Sequence, residues 1–117
     1  MLSKEFLVEY RIHSVSPSKD LHIEVQHHYR DQFYNHPDRK GMSHFTVGLM
    51  LEKLPTVIDQ LREIPVGDEV WVYKPSSEVS LGFKRFLDKK DGQMNFSLNT
   101  VMPNAPHKDG LNPIIIL

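Results

Sequence analysis

The stretch from Pro55 to Pro75, PTVIDQLREIPVGDEVWVYKP, predicts a short helix, a tight turn and a strand in immediate succession. Around its first half, apolar residues recur at the i, i+3, i+4, i+7 spacing of one helical face. These residues are Leu54, Val57, Ile58, Leu61 and Ile64. Pro55 suits the first helical turn, where the N–H that proline lacks would have no helical partner. The sequence therefore predicts an amphipathic helix over residues 54–64.

A turn and a strand follow this helix. Pro65 fixes one φ angle and Gly67 can adopt a positive φ, so residues 65–68 are suited to reverse the chain. The β-branched and aromatic run from Val70 to Tyr73 then favours a strand, which Pro75 ends. Further along, Asp91-Gly92 within the polar stretch 88–92 separates two alternating runs, 79–87 and 94–101, and predicts a β-hairpin.

The remaining segments complete an α+β domain. Residues 21–29 alternate between apolar and polar side chains and predict the clearest strand, while residues 5–12 and 43–47 predict weaker ones. Residues 14–20 read as a polar turn and residues 35–41 as a loop. We expect an antiparallel sheet of five to six strands wrapped around one short helix, in a single domain over residues 1–117. The tail 104–117 reads as irregular, although 114–117 could add an edge strand or dock on a partner.

Composition excludes several classes of protein. The chain of 117 residues suffices for one hydrophobic core and is too short for two. Its 14 Lys and Arg residues balance 15 Asp and Glu residues, so no global positive field attracts nucleic acid or a membrane. The absence of cysteine excludes disulfides and Cys-based metal centres. No signal peptide or apolar run of about 20 residues is present in the sequence, so we expect a cytoplasmic protein.

Several motifs, taken in chain order, resemble those of the FKBP family of peptidyl-prolyl cis/trans isomerases. The matching residues are Val25-Gln26-His27-His28-Tyr29, Phe33, Asp38-Arg39, Phe45, Gly48, Pro65-Val66-Gly67, Pro75 and Leu81-Gly82. The resemblance covers roughly residues 6–103 and implies an FKBP-like fold that acts on proline-containing polypeptide segments. It implies no metal or cofactor, because such a pocket lowers the barrier to rotation by binding the twisted Xaa-Pro amide better than either planar form.

The same resemblance assigns the pocket residue by residue. Its catalytic positions are Tyr29, Phe33, Leu54 and Phe96. Its substrate-binding positions are Tyr34, Val57 and Leu81, where the family has an aspartate, a tryptophan and a tyrosine. These three departures imply weak isomerase activity, and they leave a non-catalytic protein-binding module of the same fold as the alternative.

Other residues support further interpretations. Trp71 and Tyr73 share one strand face and would form either a binding platform or a cover over one side of the sheet. The seven histidines offer at best a weak surface site, so we expect no metal centre. A second alternative starts from Pro37 and the segment Arg39 to Ser43, which is similar to the single-stranded-DNA-binding domain of the positive cofactor 4 family of coactivators. In that hypothesis Tyr29, Phe33 and Tyr34 stack on bases. Nucleic acid is nonetheless not the expected partner, because Arg39, Lys40, Lys84 and Arg85 lie on two separate loops of a nearly neutral chain.

Overall fold

A mixed sheet of six strands packs one face against a run of short helices. The computed structural model describes residues 14–25, 44–90, 92–106 and 112–117. The strands are β1 (Ser14–Ser18), β2 (Leu21–Val25), β3 (Glu69–Lys74), β4 (Val79–Lys90), β5 (Gln93–Pro103) and β6 (Ile114–Ile116). The helices are α1 (His44–Lys53) and α2 (Ile58–Arg62), which a 3-10 turn (Leu54–Val57) joins. The α+β class expected from the sequence is confirmed.

The sheet is mixed, so the predicted antiparallel arrangement is wrong. In the strand order β1-β2-β5-β4-β3-β6, β2 lies parallel to β5 and β3 lies parallel to β6. The other neighbours pair in the antiparallel sense. The connections explain the direction of the β2–β5 pair. The long connection from β2 to β3 contains the helices, which allows β3 to run in the same direction as β2. Because β3, β4 and β5 follow one another as hairpins, β5 runs in the same direction as β3 and therefore as β2.

The helical region begins ten residues before the predicted start at residue 54, at His44, and the strand predicted over 43–47 is wrong. Val47, Met50, Leu51 and Leu54 follow the same i, i+3, i+4, i+7 spacing, and all four are buried. Pro55 explains why α1 ends at Lys53: its ring would clash with the carbonyl of residue 51 in a continuing α-helix. The chain therefore passes through the 3-10 turn before α2 begins.

Two other segments also differ from expectation. Residues 14–18, predicted as part of a polar turn, form β1, and only Lys19 and Asp20 make the turn that leads to β2. Within the tail predicted to be irregular, Ile114–Ile116 forms β6 at the edge of β3, one of the two roles considered for it. The predicted strand over 5–12 and loop over 35–41 lie outside the described residues.

The turn predicted at residues 65–68 and the hairpin predicted around Asp91-Gly92 are confirmed, although β4 continues to Lys90, into the polar stretch 88–92. The Asp68 N–H donates to the Pro65 carbonyl over 3.1 Å, and Gly67 has φ +93°, as residue i+2 of a type II turn requires. Lys90 pairs with Gln93 across a two-residue reversal in which Gly92 has φ +78°. These turns bring β3, β4 and β5 side by side.

The helices and the inner face of the sheet form one hydrophobic core, as the helical stripe predicts. Leu61 is 1% exposed, and Ile58 packs at the margin of the core. The same cluster contains Val57, Leu61 and Ile64 from the helical segment and Ile23, Val25, Val72 and Phe96 from the sheet. The opposite face of the sheet remains for other roles.

Candidate functional site

The residues assigned to a prolyl pocket divide into two groups. Tyr29, Phe33 and Tyr34 lie outside the described residues. Leu54, Val57, Leu81 and Phe96 are at most 7% exposed and belong to the hydrophobic core. The two clefts described below lie elsewhere on the sheet. The pocket therefore stays a prediction, and its described members act as core residues here.

Phe96 illustrates how closely these positions are packed. Its ring meets that of Phe83 edge to face, with the ring centroids 6.3 Å apart. The guanidinium carbon of Arg85 lies 5.9 Å from the centroid of the Phe96 ring. Phe96 also pairs with Ile23 of β2, in the middle of the sheet. A ligand would have to displace these contacts to reach the Phe96 ring.

The outer face of β3 carries the two aromatic residues singled out in the sequence. Val70 and Val72 are buried toward the helices, so the intervening Trp71 and the following Tyr73 point to the other face, where both are partly buried. Successive residues on one face of a strand lie about 7 Å apart. Trp71 and Tyr73 can therefore contact neighbouring parts of one extended ligand.

The absence of a side chain at Gly82 fixes the position of the indole. A Cβ atom at Gly82 would lie 3.0 Å from Cζ3 of Trp71 and 3.3 Å from Cβ of Thr100. Gly82 pairs directly with Trp71 on β3 and with Thr100 on β5. The six-membered ring of Trp71 thus lies close to the backbone of β4 at Gly82, with Thr100 beside it.

A β-bulge next to this glycine opens a small cavity. Gly82 pairs with Thr100 whereas Phe83 pairs with Leu98, so Asn99 is an extra residue in β5. The cavity holds about 40 Å³ and adjoins a shallow cleft of about 380 Å³, with which it shares Glu69 and Asn112. We call the surface formed by Glu69, Trp71, Gly82, Thr100 and Asn112 the Trp71 groove.

The Trp71 groove is aromatic at one end and acidic at the other. Asp68 and Glu69 are exposed at the cleft end, where Pro113 also lines the wall. The Asn112 amide donates to Oε2 of Glu69 over 3.3 Å and so orients that carboxylate. Thr100 and Asn99 add a hydroxyl and an amide beside the indole. Such a groove can contact an apolar ring, hydrogen-bond a peptide backbone and attract a cation.

Gly82→Ala tests the position of the indole. The added methyl group would lie 3.0 Å from the ring, so the partly exposed Trp71 must shift by a few tenths of an ångström. Because Trp71 is the only tryptophan, we expect its emission maximum and quantum yield to change while the thermal unfolding midpoint changes little. Unchanged emission would show that the ring does not rest on Gly82. Lys84→Ala, two residues away on the same face at a partly exposed position, serves as the control.

The basic residues of β4 do not form a common surface. Lys84 and Arg85 are neighbours in a strand and point to opposite faces. Arg85 points inward, where its Nη1 donates to the carbonyls of Arg62 and Ile64 over 3.1 and 2.8 Å. The Lys84 ammonium lies 5.6 Å from the Phe86 ring centroid. Lys84 and Arg85 therefore lie on opposite faces of the sheet, as expected if the four basic residues form no common phosphate-binding surface. Arg39 and Lys40 lie outside the described residues.

A polar cluster on β1 and β2 is the other group of chemically active side chains. Oγ of Ser16 and Nδ1 of His22 lie 3.2 Å apart, and Nε2 of His22 lies 3.7 Å from Oε1 of Glu24. Asn95 faces His22 from β5. Among the described residues, no group of three or more His, Cys, Asp or Glu side chains is arranged to hold a metal ion. The cluster joins two strands through side-chain contacts.

Comparisons with protein-family models, curated proteins and solved structures gave no match to this chain. The resemblance to the FKBP family therefore rests on the motif residues alone. In the part of the chain that the structure describes, no helix has the length and apolar character needed to cross a membrane.

The sequence predicts the aromatic part of the Trp71 groove but not its acidic part. The alternation Val70-Trp71-Val72-Tyr73 already places the two aromatic residues on one face, and this is confirmed. Glu69 and Asn112 were missed because they lie 43 residues apart in sequence and meet only when β6 pairs with β3. No local pattern predicts that contact.

Proposed function

We propose that this chain is a polypeptide-binding module that holds a proline-containing segment in the Trp71 groove. The observation that carries the proposal is the position of Trp71, whose partly exposed side chain lies against Gly82 on the outer face of the sheet, between Tyr73 and an acidic cleft. A proline ring is rigid and apolar, and it stacks on aromatic side chains at a low cost in conformational entropy. The proposal keeps the expected partner and replaces the predicted pocket by a different surface.

The polar groups of the groove suit the backbone of such a segment. A polyproline II segment has no internal hydrogen bonds, so its carbonyl groups are available to donors on the protein. Trp71, Thr100 and Asn99 line the cavity, and their indole N–H, hydroxyl and amide groups are donors of this kind. A segment lying across Trp71 can therefore be held by both stacking and hydrogen bonds.

The acidic end defines the charge of the ligand. Asp68 and Glu69 lie at the open cleft, and Asn112 orients Glu69 without neutralising it. Opposite charges favour association and fix the direction of the bound segment more than they raise its affinity. We therefore expect a lysine or arginine next to the proline of the preferred segment.

Intrinsic fluorescence measures this binding directly, because Trp71 is the only tryptophan. Titration with an unstructured proline-rich peptide that contains lysine should change the emission in a saturable manner. The same peptide with aspartate in place of lysine should bind more weakly. Tyr73→Ala and Glu69→Gln should each lower the affinity, whereas Asp59→Asn, which removes a 95% exposed charge on α2, should not. No saturable change with either peptide would refute the proposal.

An isomerisation assay separates this function from that of an enzyme. Isomerisation of Xaa-Pro tetrapeptides should be weak or undetectable if the groove only binds its ligand. If isomerisation occurs and persists in Glu69→Gln and Tyr73→Ala, the chemistry belongs to the predicted pocket around Tyr29 and Phe33, and the FKBP-type interpretation takes first place.

A further inference from the structure

Among the described strands, β6 pairs only with β3, so its second edge has no described strand beside it. The register of the β3–β6 pair shows which backbone groups of β6 point toward that second edge. Trp71 pairs with Ile114 and Tyr73 with Ile116 in the parallel sense. The Trp71 N–H donates to the Pro113 carbonyl over 3.0 Å, and the Leu117 N–H donates to the Tyr73 carbonyl over 2.8 Å. In a parallel pair with these hydrogen bonds, Ile115 directs both its N–H and its C=O toward β3.

It follows that Ile114 and Ile116 turn their N–H and C=O groups toward the free edge. An edge of this kind is a template for another strand unless the chain protects it. Short length, proline, bulges and charged side chains are the usual protection. β6 is short and follows Pro113, but its three residues are all isoleucines and carry no charge against a second strand. The side chain of Ile116 is 55% exposed on the outer face, although it is large and apolar.

We propose that β6 pairs with β6 of a second copy of this chain, in the antiparallel sense, and so forms a twofold-symmetric dimer with a continuous sheet. With Ile115 of each copy opposite its symmetry mate, Ile114 of one copy lies opposite Ile116 of the other. Both residues turn N–H and C=O groups outward, so this register forms four inter-chain hydrogen bonds and leaves none of those outward groups unpaired.

A second copy suits this edge because the edge is complementary to itself. The register depends on only two outward-facing residues. A twofold axis midway between the two copies of Ile115 places Ile114 of each copy opposite Ile116 of the other. Each exposed Ile116 side chain then packs beside Ile114 of the other copy on the same face. The formal net charge of −1 offers little repulsion between copies. Because antiparallel pairing keeps corresponding faces together, both Trp71 grooves lie on one side of the joined sheet.

The contact is short, so the dimer should be weak and depend on concentration. Sedimentation velocity from about 10 μM to about 1 mM should show a reversible shift from monomer toward dimer. Ile116→Lys and Ile116→Pro should abolish this shift. The proline variant removes only an outward-facing N–H, a position at which edge strands tolerate proline. Ile116→Val, which keeps the backbone and the branched side chain, should retain the dimer.

Two measurements distinguish pairing through β6 from nonspecific association of exposed apolar residues and from an edge that the chain itself covers. Leu87→Lys removes an apolar residue that is 76% exposed and far along β4, and it should leave the dimer unchanged. Amide hydrogen exchange should be fast at Ile114 and Ile116 in dilute protein and slow at high concentration. A monomer at all concentrations, a dimer that survives Ile116→Lys, or amides that are protected in dilute protein would each overturn the proposal. None of these results depends on peptide binding.

Discussion

Replacing Phe96 by alanine should lower the free energy of unfolding by about 3–5 kcal/mol. The ring is 1% exposed and contacts Phe83 edge to face while Arg85 lies over it, so its removal leaves a cavity that neighbouring strands cannot easily fill. Position 96 lies between β2 and β4, the two neighbours of β5, so a collapse there would have to move both. Urea denaturation followed by circular dichroism measures the change.

Phe86→Ala is the matched control, because Phe86 is 42% exposed on the neighbouring strand, with the Lys84 ammonium 5.6 Å from its ring centroid. Its loss should cost less than about 1 kcal/mol. The comparison also separates two roles for Phe96. A wall of an open ligand pocket would tolerate truncation with little loss of stability. A cost for Phe96→Ala as small as that for Phe86→Ala would therefore contradict the core position and favour the pocket predicted from the sequence.

Those features of the fold that depend on neighbouring residues were predictable. The alternation of apolar residues at 21, 23 and 25 gives the buried face of β2, and Pro65 with Gly67 gives the turn before β3. Asp91-Gly92 gives the hairpin between β4 and β5. Each of these signals acts through backbone geometry or side-chain periodicity over a few residues, and tertiary packing did not override any of them.

One error in the predicted fold concerns information that local patterns lack, and another concerns a local pattern that was interpreted wrongly. Alternation specifies which face of a strand is buried but not the direction of the neighbouring strand, so the parallel β2–β5 and β3–β6 pairs were missed. Proline is favoured in the first turn of a helix, and Pro55 was therefore assigned to a helix start. In the structure it lies in a 3-10 turn between two helices, because α1 has already formed from a stripe that includes Val47 and Leu51.

The candidate site likewise contains residues that the sequence predicts to lie together and residues that meet only through strand pairing. One strand carries Trp71 and Tyr73, and their common face follows from the sequence alone. Gly82, Thr100 and Asn112 come from three other parts of the chain and meet Trp71 or Glu69 only through the pairing of β4, β5 and β6. The family resemblance assigned Leu81 to a prolyl pocket, whereas Leu81 is fully buried and the neighbouring Gly82 lies against the Trp71 ring on the outer face.

Arg85→Met should destabilise the fold by about 2–3 kcal/mol, because two carbonyl groups at the end of the helical segment would lose their donor. Nη1 of Arg85 donates to the carbonyls of Arg62 and Ile64, where the helix dipole is negative, and Nη2 contacts Asp88 at 3.3 Å. Methionine fills a similar volume but cannot replace these hydrogen bonds. Urea denaturation again measures the loss.

Lys84→Met is the control for charge, because it removes the same formal charge from the adjacent residue on the outer face and should change stability by no more than about 0.5 kcal/mol. Arg85→Lys should fall between the two, since an ammonium keeps the charge but lacks the planar fork that reaches both carbonyls. The same variants test the nucleic-acid alternative. If Arg85→Met leaves stability unchanged but weakens binding to a single-stranded oligonucleotide at low salt, the guanidinium faces solvent. A phosphate-binding track of Arg39, Lys40, Lys84 and Arg85, which the sequence argues against, then becomes the better interpretation.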